Sequence, residues 1–510
     1  MKVFEFFMQL FTLQNLLWLC IGAIVGVVLG ALPGMSADTG IGIFLPLTFS
    51  LPPTTALICL GAIYVTGSYG GNITAVLVNT PGTSDSLFMT LDGYPMTLRG
   101  EGLKAIGVTT VSAFVGGIIG CLALLFIAPS LAKLAFYFGS WELFLTVMMG
   151  IIIIIGLVKG KALKGLMSAS LGFLCSLVGL DGITGVSRFS FGIPAIHDDL
   201  PLLPVVLGMF AFSQVFVLIA ENRKSIVIGE ESMTGKVWLS FKELKNLLLE
   251  TLRGSVIGTL IGIVPAAGTT VAAGLSYNLA RSSDKDPDSF GKGNPKGLAS
   301  VSAANNGVVG GSLVPLLTLG IPGNGTSALF LAALMIHGLA PGTQLFTTNG
   351  KYVYGLIFGL ILANVFILLF GMFGARFYAK ITKVPSSVLI PIITVLCILG
   401  SFSFRYLAFD MILVLFFGVV GYFMDRLGIP LAPFVLSFVL GKSAEIDLRR
   451  ALLLMSGSVS KVIFSPLSII LIIIDIGMLI WPFWGDIKKL FKRRRPTHKL
   501  NYVVRPLLMD

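Results

Sequence analysis

The chain has 510 residues and a formal net charge of +12, with 55% hydrophobic and 12% charged residues. Ordinary soluble domains carry about 25% charged residues, so this chain has too little polar surface to cover a globule in water. The mean hydropathy of +0.93 agrees with that conclusion. These values exclude a soluble protein and indicate a polytopic membrane protein.

The basic residues do not indicate a nucleic-acid partner. They lie in short connections and in the C-terminal tail at 486–510, which contains the run 488–495 (Lys-Lys-Leu-Phe-Lys-Arg-Arg-Arg). This distribution is typical of membrane proteins whose basic segments stay in the cytoplasm, and basic tails also bind acidic lipid headgroups. We therefore expect a cytoplasmic C-terminus and contacts with membrane lipid, without nucleic acid.

Apolar runs of roughly 20 residues, the length of a helix that crosses the bilayer, recur along the chain. They predict an all-α fold with roughly 10–12 transmembrane helices and additional re-entrant or broken helices. The chain divides into a first repeat unit at 1–220, a basic connecting segment at 221–252, a second repeat unit at 253–485 and the tail at 486–510.

The first predicted span covers 13–32 and carries a glycine at every fourth position, a pattern that allows close helix contact. Proline at positions 33, 46, 52 and 53 is predicted to end or break helices. Because the segment between these prolines is too short to cross the bilayer twice, we expect a re-entrant hairpin or a broken helix there. A further span begins near Thr54.

Two polar tracts follow, at 66–74 (Thr-Gly-Ser-Tyr-Gly-Gly-Asn-Ile-Thr) and 79–85 (Asn-Thr-Pro-Gly-Thr-Ser-Asp). Irregular backbone at membrane depth needs protein or water to satisfy its amides and carbonyls, so we expect both tracts to line a cavity. The loop at 181–201, where acids outnumber bases, suits the outer face. The remaining spans are predicted near 103–128, 141–158, 163–180, 201–220, 352–376, 384–400, 406–424, 428–441 and 462–484.

Much of this first region recurs in the second half of the chain. An offset of 232 residues relates Gly22, Gly26, Gly30 and Pro33 to Gly254, Gly258, Gly262 and Pro265. An offset of 241 residues relates the turn Pro81-Gly82 to Pro322-Gly323. We predict two related halves. Counting spans leaves their relative orientation open, and we expect an inverted repeat.

Two broken-helix units with Pro-Gly turns, hydroxyls and amides are typical of secondary-transporter sites near the bilayer midplane. Half-helix N-termini offer free N–H groups to a carboxylate. The candidate substrate-binding residues are therefore Asn79, Thr80, Gly82, Thr83, Ser84, Gly323, Asn324, Thr326 and Ser327. We expect Gly82 and Gly323 at positive φ, where β-branched residues fit poorly. The alternative is that these residues only satisfy one another within their turns.

Oxygen-bearing residues beside the same breaks are candidates for binding a hard cation such as Na⁺. They are Ser36, Asp38, Asn72, Asn305 and Asn306, with unwound backbone carbonyls expected near the last two. An acid at membrane depth is a functional candidate. For Asp38 and Asp85 the alternative is a position at a wet mouth of the protein. No other cofactor or metal is predicted.

The chain lacks the motifs of common enzyme classes. It contains no His-Glu-x-x-His, no Gly-x-Ser-x-Gly and no phosphate-binding Gly-Lys-Ser/Thr loop, and its five cysteines are scattered singly. The glycine repeats do not follow strands, which argues against a dinucleotide site. We therefore expect no enzymatic activity.

At these residues the chain resembles the large membrane subunit of tripartite tricarboxylate transporters, the TctA type. The matching stretches occur in order in both halves, so the resemblance covers nearly the whole chain. They are 30–34 (Gly-Ala-Leu-Pro-Gly), 69–74 (Tyr-Gly-Gly-Asn-Ile-Thr), 79–83 (Asn-Thr-Pro-Gly-Thr), 92–96 (Asp-Gly-Tyr-Pro-Met), 290–293 (Phe-Gly-Lys-Gly), 303–306 (Ala-Ala-Asn-Asn) and 315–323 (Pro-Leu-Leu-Thr-Leu-Gly-Ile-Pro-Gly).

The resemblance implies a bacterial inner-membrane subunit that imports a carboxylate, such as citrate or a related di- or monocarboxylate, on a Na⁺ or H⁺ gradient. It also implies two partners, a periplasmic solute-binding protein and a small four-helix-type membrane subunit. An alternative with the same fold is a channel or exporter of organic anions that needs no binding protein.

Two positions depart from the family's pattern. Where the resemblance leads us to expect Pro-Glu before the Ala-Ala-Asn-Asn run, this chain has Val301-Ser302, and Asp38 stands where an uncharged residue is expected. We therefore hypothesise that Asp38 replaces the missing acid in ion coupling.

Overall fold

The computed structural model describes residues 11–32, 35–79, 86–134, 138–157, 162–181, 183–221, 236–264, 269–381, 386–455 and 465–480. Within these residues the fold is almost entirely helical, which confirms the predicted all-α class. Seven of the described helices are long and apolar enough to cross a membrane, and shorter apolar helices accompany them. The chain is therefore a multi-pass membrane protein.

The described part of the first half contains helices α1 to α9 and one two-stranded antiparallel sheet. The helices are α1 Leu13–Gly30, α2 Ala37–Thr48, α3 Pro53–Val78, α4 Leu87–Leu98, α5 Gly102–Leu134, α6 Ser140–Leu157, α7 Ala162–Ser176, α8 Leu202–Val206 and α9 Ser213–Glu221. The strands are β1 Gly179–Leu180 and β2 Ser187–Arg188. A π-helical segment, Leu207–Phe212, joins α8 to α9, so the span predicted at 201–220 is continuous but not uniformly α-helical.

The described part of the second half contains helices α10 to α19. They are α10 Phe241–Ile263, α11 Thr269–Ser283, α12 Pro295–Leu319, α13 Gly325–Ile336, α14 Thr343–Thr347, α15 Gly350–Ile381, α16 Ser386–Arg405, α17 Ala408–Arg426, α18 Leu431–Met455 and α19 Pro466–Ile480.

Helices α1 and α2 form a hairpin against α3. The glycines of α1 meet successive turns of α3 in the same order: a Cβ added to Gly22 would lie 2.4 Å from the Cys59 carbonyl oxygen, and one added to Gly30 would lie 2.3 Å from the Gly67 carbonyl oxygen. Helix α1 therefore runs parallel with α3. Helix α2 returns antiparallel, with Ala37 against Gly67. Helix α1 is the predicted first span, and the segment predicted as a re-entrant hairpin or broken helix holds the single 12-residue helix α2.

One predicted helix break in this hairpin is wrong. Pro46 lies inside α2, which continues to Thr48. The proline ring packs where Gly400 has no side chain, since a Cβ there would lie 2.1 Å from the Pro46 Cβ. Pro46 has no N–H to donate to the Gly42 carbonyl oxygen, and α2 ends two residues later.

Helices α10 and α11 form a second hairpin against α12. A Cβ added to Gly254 would lie 2.3 Å from the Ser300 carbonyl oxygen, and one added to Gly258 would lie 2.2 Å from that of Ala304. The contacts of the two hairpins occur at matching positions. Where an α1 glycine meets a residue of α3, the corresponding α10 glycine meets the α12 residue 241 positions later. Helix α11 returns with the Ser276 hydroxyl donating to the Ser300 carbonyl oxygen at 3.0 Å.

Helices α3 and α12 cross antiparallel at the centre of the protein. The Tyr64 and Ser312 hydroxyls lie 3.0 Å apart, and the Asn305 amide donates to Asn72 Oδ1 at 3.1 Å. From the first contact to the second, the residue numbers of α3 rise while those of α12 fall, so the two helices run in opposite directions. Since each hairpin enters parallel with its own central helix, the two hairpins enter from opposite faces.

The two longest helices pack on the central helix of the other half. Helix α5 packs on α12, where a Cβ on Gly116 would lie 2.1 Å from the Ala303 carbonyl oxygen. Helix α15 packs on α3, where a Cβ on Gly359 would lie 3.0 Å from an Ile58 side-chain carbon. Helices α3, α5, α12 and α15 therefore form one interlocked core.

The prediction of irregular backbone within this core is wrong. The tract 66–74 lies inside the uninterrupted helix α3, and Asn305 and Asn306 lie inside the uninterrupted helix α12, so no unwound carbonyls occur there. The glycines serve close contact instead, since a Cβ on Gly70 would lie 2.8 Å from the Val27 carbonyl oxygen. Burial between helices favours a backbone that satisfies its own amides.

Several loops and helix ends meet at one face, which we call the basic face. It comprises 98–104, 236–245 and 281–297, where basic residues outnumber acidic ones. Arg99 joins the segment 98–104 to the segment 281–297. Its guanidinium donates to the Lys292 and Gly293 carbonyl oxygens at 2.8 and 2.9 Å.

Helix α5 leaves the basic face, so α6 begins at the opposite one. Near the start of α6, Glu142 Oε1 accepts from the hydroxyls of Ser465 and Ser468, both at 2.7 Å. These serines lie at the start of α19. Helix α18 runs parallel with α7, since Gly172 meets Phe434 and Ser176 meets Gly441. Because α7 follows α6, which begins at the face opposite the basic face, α7 and α18 both end at that opposite face.

We predict that Gly258→Ala lowers the melting temperature of the purified protein in detergent. The new Cβ would lie 2.2 Å from the Ala304 carbonyl oxygen and 2.7 Å from its Cα, both backbone atoms that cannot move aside. Overpacking of this kind costs about 1–3 kcal/mol.

The matched control is Gly477→Ala, because no atom lies within 4 Å of a Cβ added there. The control should melt like the parent protein. If Gly258→Ala did so too, the close contact between α10 and α12 would be ruled out.

Candidate transport site at the broken helices

Helices α2 and α13 lie side by side and run in the same direction. At their N-termini the Thr326 hydroxyl donates to the Asp38 carboxylate, and at their C-termini the Thr48 hydroxyl lies 3.5 Å from the His337 ring. Helix N-termini carry free N–H groups and a partial positive charge. Two such ends, one from each half, therefore face the same point.

The turn between α12 and α13 holds this point together. Asn324 caps α13, accepting from the Ser327 N–H at 2.8 Å, while the Ser327 hydroxyl oxygen accepts from the Asn324 N–H at 2.9 Å. The Tyr64 hydroxyl donates to Asn324 Oδ1 at 2.9 Å. Much of the turn is thus satisfied internally, as the alternative interpretation expected.

One donor in the turn is not satisfied. Asn324 is 8% exposed, and its Nδ2 has no hydrogen-bond partner among the described residues. A buried polar group without a partner costs about 1–3 kcal/mol, so such groups are rare outside functional sites. The amide is thus a donor available to a ligand between the two helix ends.

Gly323 belongs to this site for a different reason than predicted. Its φ is not positive; the left-handed residue of the turn is Gly320, with φ 72°. Gly323 lies where a Cβ would be 2.8 Å from Ser312 Cβ and 3.2 Å from the Gly262 carbonyl oxygen. The turn therefore sits against the end of α10 as well as against α3.

The predicted ion-binding residues fall into two groups. Asp38 and Ser36 begin α2, where Ser36 is the half-buried N-cap without a side-chain capping bond. The asparagines lie elsewhere: Asn72 is on α3, five residues beyond Gly67, which contacts Ala37, a rise of about 7.5 Å. The two groups lie on different helices, and their ion-binding role stays a prediction.

The asparagine group is fully buried and incompletely hydrogen-bonded. Beyond the contact between Asn72 and Asn305, four side-chain atoms have no partner among the described residues: Asn72 Nδ2, Asn305 Oδ1 and both polar atoms of Asn306. Asn364 on α15 also has an unpartnered Oδ1, and it faces Gly117 of α5. The amide oxygens are acceptors for a cation or water, and the amide N–H groups are donors for water.

Part of the predicted substrate-binding set lies outside the described residues. Asn79 is exposed at the C-terminal end of α3, in a left-handed conformation with φ 53°. The predicted residues that lie outside the described residues are Thr80, Gly82, Thr83 and Ser84, together with Pro33, Gly34 and Asp85. Their roles stay predictions. Among the described residues, no cluster of three His, Cys, Asp or Glu side chains could hold a metal.

The sequence profile of the Tripartite tricarboxylate transporter TctA family matches residues 16–436. The chain belongs to this family. The match covers both hairpins, both central helices and the turn that carries Asn324. Membership places the protein in a transport system of three components, which include a binding protein and a small membrane subunit, and the family is one of transporters rather than enzymes.

Two relatives in Agrobacterium vitis are similar to this TctA-family protein. An uncharacterized 52.8 kDa protein from the TAR-I ttuC' 3' region is 30% identical over 466 residues, which is 91% of this chain and 92% of the relative. An uncharacterized protein from the TAR-II ttuC' 3' region is 31% identical over 211 residues, which is 41% of this chain and 87% of the relative.

Sequence reasoning missed a buried acid in this TctA-family chain. Asp92 of α4 is 0% exposed. Its Oδ1 accepts from the N–H groups of Gly291, Gly293 and Asn294 at 2.9, 2.8 and 2.8 Å, and its Oδ2 accepts from the Tyr277 hydroxyl at 3.0 Å. Four donors compensate for the burial of one carboxylate.

The loop around this carboxylate can form only with glycine. Gly291 and Gly293 have φ of 82° and 98°, a region that residues with a Cβ rarely adopt. A Cβ on Gly297 would lie 2.3 Å from Asp92 Oδ2. The contact explains why the stretches 92–96 and 290–293 occur together. It fixes α4 to the loop before α12.

We predict that Asp92→Ala lowers both the melting temperature and transport. The substitution leaves three backbone N–H groups buried without an acceptor, and each costs about 1–3 kcal/mol. The measurements are thermal unfolding in detergent and substrate uptake in proteoliposomes. Asp288→Ala, an exposed acid of the same loop, is the control and should change neither. Equal stability of the two variants would show that the Asp92 contacts contribute nothing.

Proposed function

We propose that the protein is the large membrane subunit of a secondary active transporter that imports a carboxylate, such as a tricarboxylate or a related di- or monocarboxylate. It acts with a periplasmic substrate-binding protein and a small membrane subunit. One observation carries this proposal. Two helix N-termini, one from each half, lie beside Asn324, whose Nδ2 has no partner among the described residues.

This point is suited to a carboxylate. The first N–H groups of α2 and α13 and the Asn324 Nδ2 are donors, and charge-assisted hydrogen bonds to a carboxylate are stronger than neutral ones. No buried arginine is needed, which avoids the cost of a permanent charge at membrane depth. Thr326 and the predicted hydroxyls of Thr83 and Ser84 are further candidates for the substrate shell.

Asp38 supplies a reason for coupling to a cation. Its carboxylate lies at the same helix ends, and two like charges 4 Å apart repel by about 4 kcal/mol at an effective dielectric constant of 20. A carboxylate therefore binds well only when Na⁺ or H⁺ has neutralised Asp38. In this proposal the cation and the substrate bind together, and the asparagine group of α3 and α12 is a second candidate for holding Na⁺.

The arrangement of the halves supports alternating access. The hairpins enter from opposite faces, their glycine contacts recur with a constant offset, and each long helix packs on the other half. We propose that the halves are inverted repeats and that their relative movement exposes the site to each face in turn. By the positive-inside rule, the basic face and the C-terminal tail lie on the cytoplasmic side. The membrane is the inner membrane of a bacterium.

The decisive experiment measures uptake into proteoliposomes against a panel of di- and tricarboxylates, with imposed Na⁺ or H⁺ gradients and with the binding protein present. Uptake that requires a gradient, together with counterflow of labelled substrate, is the expected result. A channel for organic anions would give flux without counterflow, and an exporter would transport without the binding protein. Either outcome would replace the proposal.

We predict that Asn324→Asp raises the KM for substrate at least about ten-fold, because hydrogen bonds to charged groups contribute about 1.5–3 kcal/mol. Asp is as good an N-cap as Asn, so the contacts with Ser327 and Tyr64 persist while the free donor is lost. The exposed Asn278→Asp is the control. An unchanged KM in both variants would show that the Asn324 amide does not bind the substrate.

We predict that Asp38→Asn abolishes the dependence of uptake on the cation gradient, because the neutral amide no longer needs to be neutralised. The measurement is initial uptake with and without each gradient. Asp425→Asn, an exposed acid at the end of α17, should behave like the parent protein. Full gradient-dependent uptake by Asp38→Asn would refute its role in coupling.

A further inference from the structure

An apolar surface projects from the face opposite the basic face. It is formed by residues 179–181 and 183–199, which we call the apolar hairpin, and which include β1 and β2. Five of its apolar side chains are between 38% and 83% exposed: Ile183, Val186, Phe189, Phe191 and Ile193. Phe191 is the most exposed of them. These side chains lie on a loop rather than on a helix that could face lipid.

The backbone of this hairpin is strained at its two phenylalanines. Phe189 and Phe191 have φ of 54° and 49°, in the left-handed region that bulky residues avoid. Such conformations cost about 1–3 kcal/mol each and persist where the surrounding structure imposes them. The strain leaves both rings exposed instead of packed against the chain.

A cluster of charged groups fixes the hairpin to α18. Arg188 of β2 donates to both carboxylate oxygens of Glu445, at 2.7 and 2.9 Å. Asp181 accepts from the N–H groups of Ile183 and Thr184 and lies 2.7 Å from the Arg449 guanidinium. These N–H groups, with Arg449, hold the pKa of Asp181 well below its usual range. The exposed rings are therefore carried on a rigid support.

The charge around the rings argues for a protein rather than a bilayer. Asp198 is bonded to β1 through its carbonyl oxygen, and its side chain is 83% exposed. Anionic lipid headgroups repel such an acid, and membrane interfaces favour Trp and Tyr rather than Phe. Exposed Phe surrounded by polar groups is typical of protein interfaces. Both neighbouring acids have a nearby base: Lys442 lies 3.5 Å from Asp199, and His197 Nδ1 lies 3.1 Å from Asp198 Oδ1. With 83% of its side chain exposed, against 49% for Asp199, Asp198 is the acid more open to a partner.

We propose that the apolar hairpin is the docking surface for the water-soluble substrate-binding component of the transport system. This inference rests on the proposed function. The partner's contact surface would carry an apolar pocket for Phe189 and Phe191, with basic residues beside it that face Asp198. Because the hairpin is held rigidly, little conformational freedom is lost on binding.

The first test uses the double variant Phe189→Ser with Phe191→Ser and the soluble binding protein of the same host's system. The dissociation constant between the two proteins, measured with the membrane protein in nanodiscs, should rise at least about ten-fold, as for other buried aromatic anchors. The control is Phe241→Ser, since Phe241 is also 83% exposed but lies at the basic face. An unchanged dissociation constant in the double variant would overturn the proposal.

The second test separates docking from transport. Substrate counterflow at high concentration without the binding protein should be unchanged in the double variant, while uptake that depends on the binding protein falls at least about ten-fold. Equal loss of both would show that the hairpin acts in transport itself and would overturn the docking role. If the parent protein transports no carboxylate, the proposed function fails, and the dissociation constant still decides whether the surface docks.

The third test examines charge and the lipid alternative. Asp198→Lys should weaken association about ten-fold and reverse its dependence on salt, because salt screens an attraction in the parent and a repulsion in the variant. An unchanged salt dependence would contradict the basic partner surface. A bimane probe attached at Phe191→Cys should not be quenched by brominated lipids. Quenching would assign the hairpin to the membrane instead.

Discussion

The close approach of glycine faces is the constraint on which this structure depends. In lipid there is no hydrophobic drive between apolar helices, so association relies on van der Waals contact and on small residues that let backbones meet. The glycines of α1 and α10 meet backbone carbonyls of α3 and α12, where a Cβ would lie only 2.2 to 2.8 Å from them. This contact holds each hairpin against its central helix.

Two features follow from that contact. First, α1 and α10 enter parallel with their central helices, and α2 and α11 return beside them. Second, the central helices stay α-helical, because the hairpins pack closely against them. The candidate site thus combines the N-terminus of α2 with that of α13, which follows α12, and does not use the tract 66–74 as irregular backbone.

Two acids of this chain illustrate how charge is handled at such a site. Buried Asp92 has four donors and ties α4 to the loop before α12, whereas half-buried Asp38 lies at helix ends beside Asn324. A fully compensated carboxylate is a fixed part of the fold. A carboxylate beside an open donor is suited to binding and release. The same residue type thus serves different purposes according to its neighbours.

Much could be predicted from the sequence. Composition determined the membrane environment, because only an apolar medium accommodates such a chain. Glycine spacing predicted the close helix contacts and Pro322-Gly323 predicted the Asn324 turn, since both act through local backbone geometry. Tertiary structure alone decided the rest. It kept 66–74 helical, moved the positive φ to Gly320, paired Asp92 with its loop and separated Asp38 from the asparagines. These outcomes depend on which surfaces meet across hundreds of residues, and local sequence does not specify such contacts.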